Sequence, residues 1–188
     1  IGESVVVFGA GGIGLNVIQA AALVSAYPII AIDIFDNRLE LARQMGATHV
    51  INGKTANVRE AIKGIVEGAG VDVFIDNTGQ PANIEMGYQI TKAQGRVTLV
   101  GVPRKDNNIS IYSLPLHFGK GLSGSHGGEA VPQTDIPRYH NLFRSGKLQL
   151  KQLLTETYSL DQIDEAITDM RSGKMRGRCL IKLDSSSS

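Results

Sequence analysis

The chain has 188 residues, 19 Lys and Arg against 18 Asp and Glu, a formal net charge of +1, and a 42% hydrophobic share. That length suits one domain, or one domain with an appendage, and the apolar share is enough for a sizeable core. The balanced charge leaves no electrostatic footprint for nucleic acid or anionic lipid, and no apolar run approaches the roughly 18 residues of a membrane span.

Cys179 is the single cysteine, so no intramolecular disulfide framework exists and a reducing, cytoplasmic compartment is expected. No basic region precedes the first apolar run, and no signal peptide is read there. Ile1 leads almost directly into a buried-type strand with no initiator Met, and we expect a piece of a longer protein.

In chain order, short apolar runs alternate with helical patterns. A strand over Val5–Phe8 precedes a helix near Gly12–Ser25, and Ile29–Ile32 precedes one near Asn37–Met45. His49–Ile51 precedes a helix near Ala56–Glu67, Val73–Ile75 one near Ala82–Ile90, and Val97–Val100 and Leu122–Gly124 follow as two further strands. The strands are continuous and β-branched, as in a parallel sheet covered on both faces. The fold class is therefore α/β: a Rossmann doubly wound, parallel six-stranded sheet, order 3-2-1-4-5-6, with helices on both faces. Gly46 reads as a helix-terminating glycine and Asp36 as a cap for the helix after it. After about Lys147 the pattern changes to loop, a helix near Leu160–Arg171, then a strand near Arg178–Leu183. Ser159 and Gln162 have capping-box spacing ahead of Ile163, Ala166, Ile167 and Met170, which share one helix face. The run of serines at 185–188 reads as a flexible tail.

The first strand ends in Gly9-Ala10-Gly11-Gly12-Ile13-Gly14, a G-x-G-x-x-G pattern. Gly9 permits the tight turn, Gly11 lets a pyrophosphate approach the backbone, and Gly14 lets the helix pack closely on the sheet. The free amides and dipole of the helix then favour an anion. A glycine turn alone fits any tight strand–helix junction. Asp33, nineteen residues after Gly14 at the end of the second strand, strengthens the reading. A carboxylate there can accept from both adenosine ribose hydroxyls, and it repels a 2′-phosphate, so NAD is favoured over NADP. The turns "DNTGQP" (76–81) and "VGVP" (100–103) stand at the ends of two later strands. They suit walls for the ribose and the nicotinamide, and equally suit plain βα turns.

The ordered set GAGGIG, Asp33, "LARQMGATHVIN", "GVDVFIDNTG", "GRVTLVGVP" and "SLDQIDEAITDMRSGKMRGRCLIKL" resembles the cofactor-binding half of the zinc-type alcohol dehydrogenases, in the medium-chain dehydrogenase/reductase family. The resemblance implies an NAD-dependent oxidoreductase in which Gly9, Gly11, Gly12, Ile13 and Gly14 form the pyrophosphate turn. It implies that Asp33 takes the adenosine ribose with Arg38 beside it, and that Thr78 lies near that ribose through its amide. Val100 and Val102 would line the nicotinamide, backbone near Gly124 and His126 would hold its carboxamide, and Arg178, or the nearby Arg176, would contact phosphate. It divides the chain into a Rossmann domain over 1–147, a helix and strand over 148–184 that pack on a GroES-like catalytic domain absent from this chain, and a tail over 185–188. Zinc would be held only by that absent domain, and two cofactor domains would join edge to edge near Leu122–Gly124 as a homodimer.

The remaining residues add no catalytic centre. One cysteine cannot build the two-cysteine, one-histidine zinc site, and Cys179 suits a small buried hydrophobe. His49, His117, His126 and His140 include no pair at helical metal spacing. The isolated chain is expected to be catalytically incomplete. The alternatives are the cofactor domain of a zinc-free quinone or enoyl reductase relative, or a non-catalytic NAD-binding subunit.

Overall fold

The computed structural model describes residues 1–68 and 70–183. Its main sheet comprises β1 (Val5–Phe8), β2 (Ile29–Asp33), β3 (His49–Asn52), β4 (Val71–Asp76), β5 (Thr91–Leu99) and β6 (Gly121–Gly124) in the order β3-β2-β1-β4-β5-β6. Every adjacent pair is parallel, with Val5 opposite Ile29 on one side and Val73 on the other. The sheet expected from sequence is thus present in strand number, order and direction.

The first strand explains the covering on both faces. Successive side chains of a strand point to opposite faces. Val5 and Val7 enter one core, with Leu15 and Ile18 of α1 (Gly12–Leu23) and Leu41 of α2 (Asp36–Gln44). Val6 and Phe8 enter the other, with Ile62 of α3 (Val58–Ile65) and Tyr88 of α4 (Pro81–Ile90). Both faces are dry, so the strand has no polar side to display and its sequence does not alternate. Full burial of side chains such as Leu15 or Ile18 stabilises by about 1.5–3 kcal/mol each.

Several boundaries differ from the sequence expectation. The first helix stops at Leu23 rather than Ser25, where Ser25 takes a positive φ of 57°. The third is shorter than 56–67 because Asn57 caps it, its side chain accepting from the Glu60 amide at 3.3 Å. Asp36 does not cap α2; it is the first helical residue, and its carboxylate accepts from Asn52 Nδ2 at 2.7 Å. The fifth strand begins six residues before Val97, since backbone pairing with β4 carries the polar residues Lys92, Gln94 and Arg96 into it through an irregularity between Val71 and Val73.

Beyond α5 (Pro132–Arg144), a strand read as loop, β7 (Leu154–Ser159), pairs in parallel with β8 (Arg178–Lys182) across α6 (Ile163–Ser172). The capping box of Ser159 and Gln162 is present, closing a 3-10 turn ahead of α6. The face expected to be apolar is half covered: Ala166 is buried, while Met170 is 52% exposed. The buried neighbour is Asp169, whose carboxylate accepts from the Tyr158 hydroxyl at 2.8 Å and from Lys174 at 2.6 Å. This unit meets the main domain at the start of α2, where Asn37 Nδ2 donates to the Gly173 carbonyl at 2.9 Å. No helix among the described residues is long and apolar enough to cross a membrane.

Candidate functional site

The carboxyl ends of β1, β2 and β4 open onto a cavity of about 540 Å³. The glycine turn forms its floor, and its four glycines differ in what a side chain would meet. Gly9 has φ +94°, the left-handed region. A Cβ on Gly14 would overlap the Gly9 carbonyl oxygen, so α1 and the turn touch backbone to backbone. A Cβ on Gly12 would overlap the Arg178 guanidinium. At Gly11 a Cβ would meet nothing within 4 Å, so no protein atom requires that glycine. Gly11 is also the N-cap of α1, without a side-chain cap, and the first turn carries no acidic residue. The amides there are available to an anion.

Asp33 closes one side. It is 6% exposed. Its Oδ2 accepts from the Ala10 amide of the glycine turn at 2.8 Å, and its Oδ1 accepts from the Ile34 and Phe35 amides at 2.8 and 3.1 Å. Three amides occupy three of roughly four acceptor positions, leaving room for about one further donor rather than two ribose hydroxyls. Arg38 lies 3.9 Å from Oδ2, stacks over the Phe35 ring at 4.8 Å and donates from Nε to the Met175 carbonyl at 3.4 Å. It is held on three sides.

The opposite wall is the turn after β4. Asn77 donates from its side chain to the Phe8 and Gly9 carbonyls at 3.4 and 3.3 Å. Thr78, Gln80 and Asn83 continue the lining, and Asn83 Nδ2 donates to Thr78 Oγ1 at 3.1 Å.

Nine of the thirteen residues singled out from sequence meet in this cavity: the five of the glycine turn, Asp33, Arg38, Thr78 and Arg178. Between the two candidate arginines, Arg178 lines it and Arg176 does not. Val100, Val102, Gly124 and His126 do not line it. They lie farther along the same sheet edge, where Leu99 pairs with Gly124 and its carbonyl accepts from the Ser125 amide at 2.9 Å. Val102 is 89% exposed. Ile34, Phe35, Asn77, Gln80 and Asn83 line the cavity without having been named from sequence. The signal for Ile34 was its place directly after the strand-end acid. Asn77, Gln80 and Asn83 belong to the turn and helix start beginning "DNTGQP", where sequence alone gives no way to tell wall from connection. Among the described residues no group of three His, Cys, Asp or Glu side chains could hold a metal ion.

A doubly wound sheet with this glycine turn, acid and helix start defines an α/β domain of the dinucleotide-binding class. The chain belongs to the zinc-binding dehydrogenase family, whose model matches residues 12–145. It is 37% identical over 179 residues to L-threonine 3-dehydrogenase of Pyrococcus horikoshii, covering 92% of this chain and 49% of that protein. It is 30% identical over 186 residues to alcohol dehydrogenase 1 of Pisum sativum, covering 97% of this chain and 48% of that one. Among solved structures, benzyl alcohol dehydrogenase from Acinetobacter calcoaceticus superposes with a TM-score of 0.86 at 37% identity, covering 96% of this chain and 49% of its own. The chain thus spans about half the length of the relatives it matches.

Proposed function

We propose that this chain is the NAD(H)-binding half of an oxidoreductase that exchanges hydride with an alcohol or carbonyl substrate. The observation that carries this reading is Gly11: an unobstructed backbone at a helix start, in the cavity that Asp33 closes. Its open space fits a pyrophosphate approaching the amides of Gly11, Gly12 and Ile13. Arg178 stands over Gly12 and supplies positive charge on the same side. Asp33 accepts a ribose hydroxyl in its remaining acceptor position, and Arg38, pinned to the Met175 carbonyl, borders that carboxylate. Nicotinamide, when bound, supplies the hydride acceptor or donor. The segment over 100–103 and the backbone near Gly124 and His126 then take the nicotinamide side.

On this reading zinc, and the residues that choose the alcohol, lie in a catalytic domain outside this chain, in keeping with its single cysteine and with its spanning about half the length of its relatives. The unit over 148–184 is then the part that meets that domain, and the exposed edge at β6 the surface through which two copies associate. A cytoplasmic location fits the same reading. Titrating NADH into the chain and following its fluorescence tests the proposal. Saturable binding, with no alcohol oxidation by the chain alone, is expected. Absence of NADH binding, or zinc-dependent turnover by this chain alone, overturns it.

A further inference from the structure

Asp76, the last residue of β4, is fully buried, and among the described residues it has no ion-pair partner. A buried carboxylate without a cation is costly unless its oxygens are well bonded. Its Oδ1 accepts from the Thr78 amide at 3.2 Å and from the Thr78 hydroxyl at 2.6 Å. Its Oδ2 accepts from the Gly79 amide at 2.7 Å. The Thr78 hydroxyl, donating to Asp76, accepts in turn from the Gln80 amide and Asn83 Nδ2 at 3.2 and 3.1 Å. One carboxylate therefore shapes the whole turn that walls the cavity.

The same residue also ties in the neighbouring segment. Its backbone carbonyl accepts from the Val100 and Gly101 amides at 2.8 and 2.9 Å. A Cβ on Gly79, which has φ +64°, would stand 2.6 Å from the Val102 carbonyl oxygen. A Cβ on Gly101 would overlap the Gly79 amide nitrogen. The two segments interlock as bare backbone, so a shift of the Thr78–Gln80 turn displaces the 100–103 segment with it.

We propose that Asp76 is a positioning residue, whose carboxylate sets the Thr78–Gln80 turn and, through Gly79, holds the 100–103 segment in register with the cavity for one continuous dinucleotide. This rests on the NAD(H) reading above. The test compares NADH with ADP, which lacks the nicotinamide half, on the wild-type chain and on Asp76→Asn, Thr78→Val and Thr78→Ser, with melting temperatures recorded alongside. Asp76→Asn and Thr78→Val should weaken NADH by about tenfold or more and, because Thr78 lines the cavity that takes the ADP half, weaken ADP too but by at least about threefold less, while Thr78→Ser, which keeps the hydroxyl, should fall well short of the Thr78→Val loss. If Asp76→Asn does not fold, the Thr78 pair decides. Unchanged NADH affinity in a folded Asp76→Asn or Thr78→Val overturns the proposal. So do equal losses for NADH and ADP, or a Thr78→Ser as weak as Thr78→Val. A wild-type chain that binds no NADH overturns the functional reading, and this proposal with it.

Discussion

The two ends of the main sheet handle their acids differently. Near the amino ends, carboxylates meet cations: Asp72 takes Lys92 at 2.7 Å and the Ser4 hydroxyl at 2.7 Å, and Glu3 takes both terminal nitrogens of Arg96 at 2.7 Å. At the carboxyl ends, Asp33 and Asp76 are held by backbone amides and a hydroxyl, and Arg38, which among the described residues is the cation paired with either of them, stays 3.9 Å from Asp33. A pair such as Asp72–Lys92 uses its charge within the protein. Asp33, held by amides, is fixed in position with acceptor room left on the cavity side, whereas Asp76 commits both oxygens to the turn that walls the cavity. On the proposed NAD(H) reading, the contrast puts stability at one end of the sheet and binding at the other.

The sharpest way to break that assignment is within the glycine turn, where two glycines three residues apart should fail in opposite ways. Gly14→Ala sets a Cβ against the Gly9 carbonyl and should destabilise the fold by about 2 kcal/mol or more. Gly11→Ala meets no protein atom, so stability should change by no more than about 0.5 kcal/mol, while NADH binding falls by about tenfold or more. Thermal melts and NADH titrations on both variants read the two effects separately. A Gly11→Ala that binds as wild type would remove the pyrophosphate from this turn.

Cofactor choice tests the same end of the sheet. A 2′-phosphate brings like charge to Asp33 and no hydroxyl donor, which should favour NADH over NADPH by about 2–3 kcal/mol, or roughly 30- to 150-fold. Asp33→Ala should weaken NADH and narrow that gap. Arg38→Ala should leave the preference in place, because its guanidinium is already committed to the Met175 carbonyl and the Phe35 ring. An unchanged NADH to NADPH ratio in Asp33→Ala would show that this carboxylate does not read the ribose.

The amino end gives the smaller effects, in stability alone. Burial raises the Asp72 carboxyl, but the bonds from Lys92 and Ser4 outweigh it and bring its pKa down to about 2. A depressed folded-state pKa contributes stability that is present above the ordinary value near 4 and is lost as pH falls towards about 2. With Asp72 partly exposed, this amounts to about 1–2 kcal/mol. Denaturant unfolding between pH 5 and 2 should lose that much less in Asp72→Asn than in wild type, and NADH affinity at neutral pH should be the same in both. An identical acid slope in the two proteins would mean that Asp72 contributes nothing to it. Glu3→Gln, at an exposed pair, should cost no more than about 1 kcal/mol in the same unfolding assay and should leave binding untouched.

What the sequence determined by itself is what local chemistry writes in consecutive residues. Strands dry on both faces must be apolar throughout, so β1 and β2 were plain to read, and with them the doubly wound order. The glycine turn was legible because a backbone that must bend at Gly9 and pack closely at Gly14 excludes side chains at fixed spacing, and Asp33 because an acid ends an otherwise apolar second strand. Tertiary structure decided the rest. Strand β7, "LTETYS", buries only Tyr158 along its length, so despite its Thr and Tyr residues no apolar run announces a strand; pairing with β8 makes it one. Asp76 reads as a turn acid until its burial and its bonds to Thr78 and Gly79 are seen. Arg178 lies 166 positions from Gly12 in the sequence, yet its guanidinium fills the space that a Cβ there would need. Such contacts depend on where distant segments meet, and that is fixed by packing rather than by any pattern along the chain.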